Sequence, residues 1–94
     1  MRLTSTEITT LKKSLQELDK DAELYLFGSR IDDNKRGGDI DLLIISKKLN
    51  KRDIRKIKFD FYDKFGEQKI DIIIDRGELD SPFKKIIFQK AIRL

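Results

Sequence analysis

Asp39-Ile40-Asp41 opens a run, DIDLLII over residues 39–45, that is otherwise apolar. Asp71 holds an early place in a second such run, KIDIIID over residues 69–75. Gly28, Ser29 and Arg30 follow a third, ELYLF over residues 23–27. Side chains alternate across an extended strand, so Asp39 and Asp41 point to one face, about 6.5 Å apart along the backbone. Carboxylates gathered at one spot repel and raise one another's pKa unless a cation sits among them. The chain has no histidine and no cysteine, which excludes a Ser-His-Asp triad and any His- or thiolate-bound zinc. Oxygen-only ligands with positions left for water and phosphate describe a magnesium site better than a calcium or zinc site. Gly28 lets backbone N–H groups approach an anion closely, and the Ser29 hydroxyl can bind a phosphate oxygen. Arg30 can clamp a phosphate through its planar fork or pair with Asp32 or Asp33. The competing explanation is that the acids are the polar half of a half-exposed strand. D-x-D with a matching third acid and a Gly-Ser turn favours a site.

The elements that must position these residues are legible along the chain. Thr4 and Glu7 read as a capping box opening a helix, with Ile8, Leu11, Leu15 and Leu18 forming one apolar stripe. Residues 23–27 form a short strand covered on both faces. Residues 30–38 carry Asp32, Asp33, Asn34, Gly37 and Gly38, which is loop chemistry. Residues 39–45 form a second strand. A helix over 51–65 carries Ile54, Ile57, Phe61 and Phe65 on one side, and Gly66 ends it. Residues 69–75 form a third strand. Ser81-Pro82 then starts a last helix, a cap followed by proline at the first helical position, with Phe83, Ile86, Ile87 and Ala91 along it.

The nine-residue link after the first strand allows an antiparallel neighbour, whereas the helix between strands two and three implies a parallel pair through a right-handed crossover. The expected fold is α/β (α+β): a small three-stranded mixed sheet, order 1-2-3, packed with helices, in a single domain over residues 1–94. Parallel strands about 4.8 Å apart would bring Asp71 beside Asp39 and Asp41, and the antiparallel first strand would deliver Gly28-Ser29 to the same edge.

Bulk composition agrees with a small folded domain. Hydrophobic residues make up 38% and charged residues 40% of 94. The apolar ones cluster into periodic segments, which argues against disorder. The net charge of +4 suits an anionic ligand and suits a solvated surface equally. Absence of cysteine makes a reducing cytoplasm the natural setting. No stretch is long or apolar enough to span a membrane, and the polar N-terminus does not read as a signal peptide.

Gly28-Ser29, nine intervening residues, Asp39-Ile40-Asp41 in an apolar strand, and Asp71 in KIDIII together resemble the nucleotidyltransferases of the DNA polymerase β superfamily. The likeness is closest to the minimal nucleotidyltransferases (MNT) and spans residues 4 to about 92. The resemblance implies magnesium-dependent transfer of a nucleoside monophosphate, AMP from ATP being the first candidate. Asp39 and Asp41 would hold two Mg²⁺ ions that bridge the triphosphate. Asp71 would complete the site of the metal that activates the incoming hydroxyl, and could accept its proton. Gly28 and Ser29 would hold the β and γ phosphates, with Arg30 assisting nucleotide binding.

A chain occupied by this core has little left for an acceptor pocket, so the acceptor is expected on another polypeptide or across a homo-oligomer interface. In the family, minimal nucleotidyltransferases pair as antitoxins with helical HEPN-domain toxins, and some adenylylate a tyrosine on that partner. The leading expectation is therefore an antitoxin of a HEPN/MNT toxin–antitoxin pair. The alternative is a non-catalytic binding module of the same fold that neutralises a partner by contact alone. A small RNA-binding domain fits less well: Phe59, Phe61, Tyr62 and Phe65 interleave with Lys56, Lys58 and Lys64, but at helical spacing. That spacing assigns Phe61 and Phe65 to the core, leaves Phe59 and Tyr62 to a partner or the core, and argues against direct nucleic-acid binding.

Overall fold

The computed structural model describes residues 3–28, 40–79 and 81–94. Helix α1 spans Ser5–Leu18 and starts at the capping box, with Thr4 and Glu7 each accepting the other's backbone N–H. Strand β1 (Glu23–Phe27) and strand β2 (Ile40–Ile45) are antiparallel, with Phe27 opposite Asp41 and Glu23 opposite Ile45. Helix α2 (Lys51–Phe65) opens on a second capping box, Asn50 with Asp53, and ends at Gly66, whose φ of 84° suits glycine. Strand β3 (Ile70–Asp75) then runs parallel to β2, and helix α3 (Pro82–Lys90) begins where Ser81 caps the N–H of Lys84.

The sheet carries a fourth strand that the sequence reading did not anticipate. Strand β4, Ile92–Arg93, pairs antiparallel with β1, and the order is β3-β2-β1-β4. The expected core order 1-2-3 is kept, and the sheet is extended by one short edge strand. The last helix stops at Lys90, so Ala91 is its extended C-cap (φ −73°, ψ 149°) and not a helical position. From there the chain turns along the open edge of β1, and the Leu94 N–H reaches the Leu24 carbonyl at 2.9 Å. β3 begins one residue later than expected, at Ile70.

Alternation divides the sheet into two faces. Leu24, Leu26, Ile40, Leu42, Ile44 and Ile70 point toward α1 and α2, where Leu11, Leu15, Ile57 and Phe61 complete the main core. Phe61 is fully buried, and Phe65 packs against its ring at 4.8 Å between centroids. Tyr25 and Leu43 point the other way, toward Ile87 of α3, with Phe27, Ile45, Ile73 and Phe88 around them. β1 and β2 are thus covered on both sides, which is why their central residues are apolar without alternation. Tyr62 is half-buried against the main core, while Phe59 stands 67% exposed on α2.

Candidate active site

Register decides what the N-terminal ends of β2 and β3 bring together. Asp41 of β2 is the direct partner of Asp71 of β3, and on the other side Asp41 faces Phe27 of β1. Register partners share a face, so Phe27, Asp41 and Asp71 form one row across three strands on the side that α3 covers. The ladder reaches the end of that row, because the Ile40 N–H donates to the Lys69 carbonyl at 3.1 Å. Asp41 is half-buried and Asp71 exposed. Neighbouring strands lie about 4.8 Å apart, so two carboxylates in register are close enough for one cation to bridge.

Gly28 closes the arrangement from the β1 side. It follows Phe27 directly and has φ of 79°, a conformation that disfavours L side chains. A Cβ at this position would run into the Asp41 carboxylate and lie 3.1 Å from its Cγ. Two separate constraints therefore demand glycine: the backbone angle, and the carboxylate packed against its Cα.

Of the residues singled out in the sequence, the structure brings Gly28, Asp41 and Asp71 to one edge of one face. Ser29, Arg30 and Asp39 lie outside the described residues. Among the described residues no group of three or more carboxylates closes on a single point.

Beside Asp71 lies an open hollow of about 450 Å³, lined by Lys58 and Tyr62 of α2 and by the link Glu67–Lys69. In the sequence Lys58 is one of the lysines interleaved with aromatics at helical spacing. Its place at the same hollow as Asp71 of β3 follows only from how α2 crosses the sheet, although its spacing of four from Tyr62 does mark a common helix face.

A larger hollow, about 630 Å³, sits at the opposite end of the strands between Asp19, Ser46, Lys47, Lys48 and Arg76. Asp19 in it, and Asp75 near the same end of the sheet, are structural. Asp19 accepts from the Ser46 hydroxyl at 2.6 Å and from the Asp21 N–H at 3.0 Å. The Ser46 bond, then the Asp21 bond, hold its carboxyl below the usual carboxylate range despite burial, helped by the charge of Lys48. At the end of β3, Asp75 accepts the Gly77 and Leu79 N–H groups at 2.6 and 3.0 Å and pairs with Lys84 at 3.3 Å. Burial pushes the Asp75 carboxyl up, but the two N–H groups and Lys84 outweigh it and leave it lowered. With their oxygens committed in this way, Asp19 and Asp75 serve the fold.

A family model described as a nucleotidyltransferase domain matches residues 8–94. No curated protein matches the chain.

Proposed function

This chain belongs to the nucleotidyltransferase domain family, and from that premise we propose that it transfers AMP from ATP to a hydroxyl on a partner protein. The partner in this reading is the helical toxin of a HEPN/MNT pair, for which the chain acts as antitoxin. The observation that carries the reading is the direct register of Asp41 with Asp71, with Gly28 against the Asp41 carboxylate.

The donor set fits Mg²⁺: adjacent carboxylates on rigid strands, oxygen ligands only, with Asp39 two residues before Asp41 available as a third. When bound, magnesium neutralises charge on the triphosphate and steadies the attacking and leaving oxygens of an in-line displacement. The chain's own residues do the rest. Asp39 and Asp41 would hold the metal, and Asp71, exposed in register with Asp41, would take the proton of the incoming hydroxyl. The hydroxyl oxygen bonds to the α-phosphorus, the bond from that phosphorus to the bridging oxygen breaks, and pyrophosphate leaves. Gly28 admits the phosphates close to the backbone, and Ser29 and Arg30 hold them. The hollow beside Asp71 is shallow and open, which favours an acceptor presented by another protein.

The test uses ATP labelled at the α-phosphate, Mg²⁺ and the helical partner. Label moves to a partner hydroxyl, while label at the γ-phosphate does not. Asp39→Ala or Asp71→Ala lowers the transfer on the order of a thousandfold, because the lost charges act in the transition state. Ser29→Ala costs less, since backbone N–H groups remain to hold the phosphates. A partner neutralised equally by wild type and Asp39→Ala, with no covalent label on either, would sink the catalytic reading in favour of a module that acts by contact.

A further inference from the structure

Strand β3 ends the sheet: in the order β3-β2-β1-β4 no strand lies beyond it among the described residues. Two bonds fix how its backbone is turned. The Lys69 carbonyl accepts the Ile40 N–H at 3.1 Å, and the Asp75 carbonyl accepts the Ser46 N–H at 2.9 Å. The odd-numbered residues of β3 therefore bond to β2. Successive residues alternate, so Ile70, Ile72 and Ile74 turn their N–H and C=O groups to the open edge.

The two edges of the sheet are built differently. β4 is two residues long and carries Arg93, the short and charged form that discourages a further strand. β3 is six residues long and reads IDIIID, with no proline, glycine or lysine. Its middle, residues 72–74, is uncharged and half-buried. On the side of α2, Ile72 and Ile74 line a groove of about 510 Å³ together with Ile54, Lys51 and Arg55.

We propose that β3 pairs antiparallel with β3 of a second copy, about a two-fold axis through Ile72, so that the two sheets become one. The run KIDIIID over residues 69–75 selects this occupant and this register. With the axis at Ile72, Ile70 meets Ile74 of the second copy, Ile72 meets Ile72, and each such pair exchanges two backbone bonds. On the face of the grooves isoleucine then meets isoleucine throughout. On the other face Lys69 falls opposite Asp75, and Asp71 opposite Ile73. Asp75 already holds Lys84, so the gain there is that no like charges meet directly. Moving the axis by one residue forfeits that gain. Centred on Asp71 it sets Asp71 against Asp71, and centred on Ile73 it sets Asp71 against Asp75, both destabilising pairs. With the axis at Ile72 the two Asp71 residues approach only on the diagonal, about 7–8 Å apart. Lys51 and Arg55 border the C-terminal half of β3, so the antiparallel arrangement keeps them at opposite ends of the joint, away from their counterparts.

The second copy's strand runs alongside the hollow that holds Asp71, so self-pairing and the approach of an acceptor compete. That consequence rests on the transfer reading above; the pairing itself rests on the open edge and its register.

The test starts with sedimentation of the whole chain from about 1 to about 500 µM, a range suited to a weak contact one strand long, over which the average mass doubles. Amide exchange at the two ends of that range reads the edge. Ile70, Ile72 and Ile74 slow at the higher concentration, whereas Asp71 and Ile73, bonded within the sheet, are slow at both. The chain has no cysteine, so single cysteines report the register. Opposed residues of a bonded pair lie about 5.5 Å apart at Cα, within reach of a disulfide. On mild oxidation Ile72→Cys links to itself roughly tenfold more than Asp71→Cys or Ile73→Cys. Ile72→Pro removes one outward donor, leaves the bonds to β2 in place, and abolishes the dimer. Should that variant fail to fold, exchange in the wild type decides without it. A chain that stays monomeric at the highest concentration overturns the proposal. So does linking that is strongest through position 71 or 73, or slowed exchange centred away from Ile70, Ile72 and Ile74. Thermal protection by Mg²⁺ and ATP, measured alongside, separates the two readings: a dimer without that protection defeats the transfer reading and leaves the pairing standing.

Discussion

Asp71 and Asp75 lie on one strand and one face, four residues apart, in opposite surroundings. Asp75 is 3% exposed and takes two backbone N–H groups and a lysine. Asp71 is exposed at the other end of β3, in register with another carboxylate. One end of the strand thus uses an acid to tie down the turn that leads into α3. The other end sets two carboxylates side by side in register across β2 and β3. A fold tolerates such a pair at a cost, and a cation is what turns the cost into a binding site. The contrast separates structural from functional acids better than residue type does.

Asp75→Ala tests that contrast with the largest expected effect. It strands two N–H groups and a lysine, and is expected to cost about 3 kcal/mol, lowering Tm by roughly 15 °C in a chain of this size. The acid limb of the stability curve should follow. The Asp75 and Asp19 carboxyls are lowered in the folded state, so the unfolded chain binds more protons and stability rises with pH. Their contribution is complete above about pH 5 and is lost as pH falls through the ordinary carboxylate value and below it. In Asp75→Asn that loss should be smaller. Melts between neutral and acid pH read both effects, and an Asp75 variant as stable as wild type would erase the distinction between the two ends.

Gly28→Ala should rank second. The positive φ alone costs about 1–2 kcal/mol in a residue with a side chain, and the new methyl must displace the Asp41 carboxylate. Loss of Tm should therefore come with loss of Mg²⁺–ATP protection. A variant that melts lower yet keeps full protection would separate Gly28 from the site.

The smallest effect is the most discriminating. Asp71→Asn removes one of two like charges in register, and should raise apo stability by about 0.3 kcal/mol, a degree or two in Tm, while weakening protection by Mg²⁺ and ATP. A fall of several degrees in the apo protein would mark Asp71 as structural, like Asp75.

Much of the fold is legible because it is encoded locally. Thr4 with Glu7 and Ser81 with Pro82 mark helix starts through bonds made within a few residues, and the stripes on α1 and α2 have a period that any reader can count. β4 was invisible for the complementary reason. A two-residue strand has no period of its own, and Ile92 and Arg93 are extended because the edge of β1 lies beside them. The same limit applies to Phe83 and Ile86, whose place on the last helix was legible but whose exposure was not.

By itself the sequence determined the element order, the helix caps, the mixed direction of the three main strands, and the convergence of Gly28, Asp41 and Asp71 that alternation and a parallel crossover require. Tertiary structure alone decided which acid of β3 is spent on the fold. Asp71 and Asp75 have the same type and parity on one strand, and what sets them apart is three-dimensional proximity of Asp75 to the Gly77 and Leu79 amides and Lys84. Local sequence sets which face a side chain takes; its partners on that face come from segments that folding brings near.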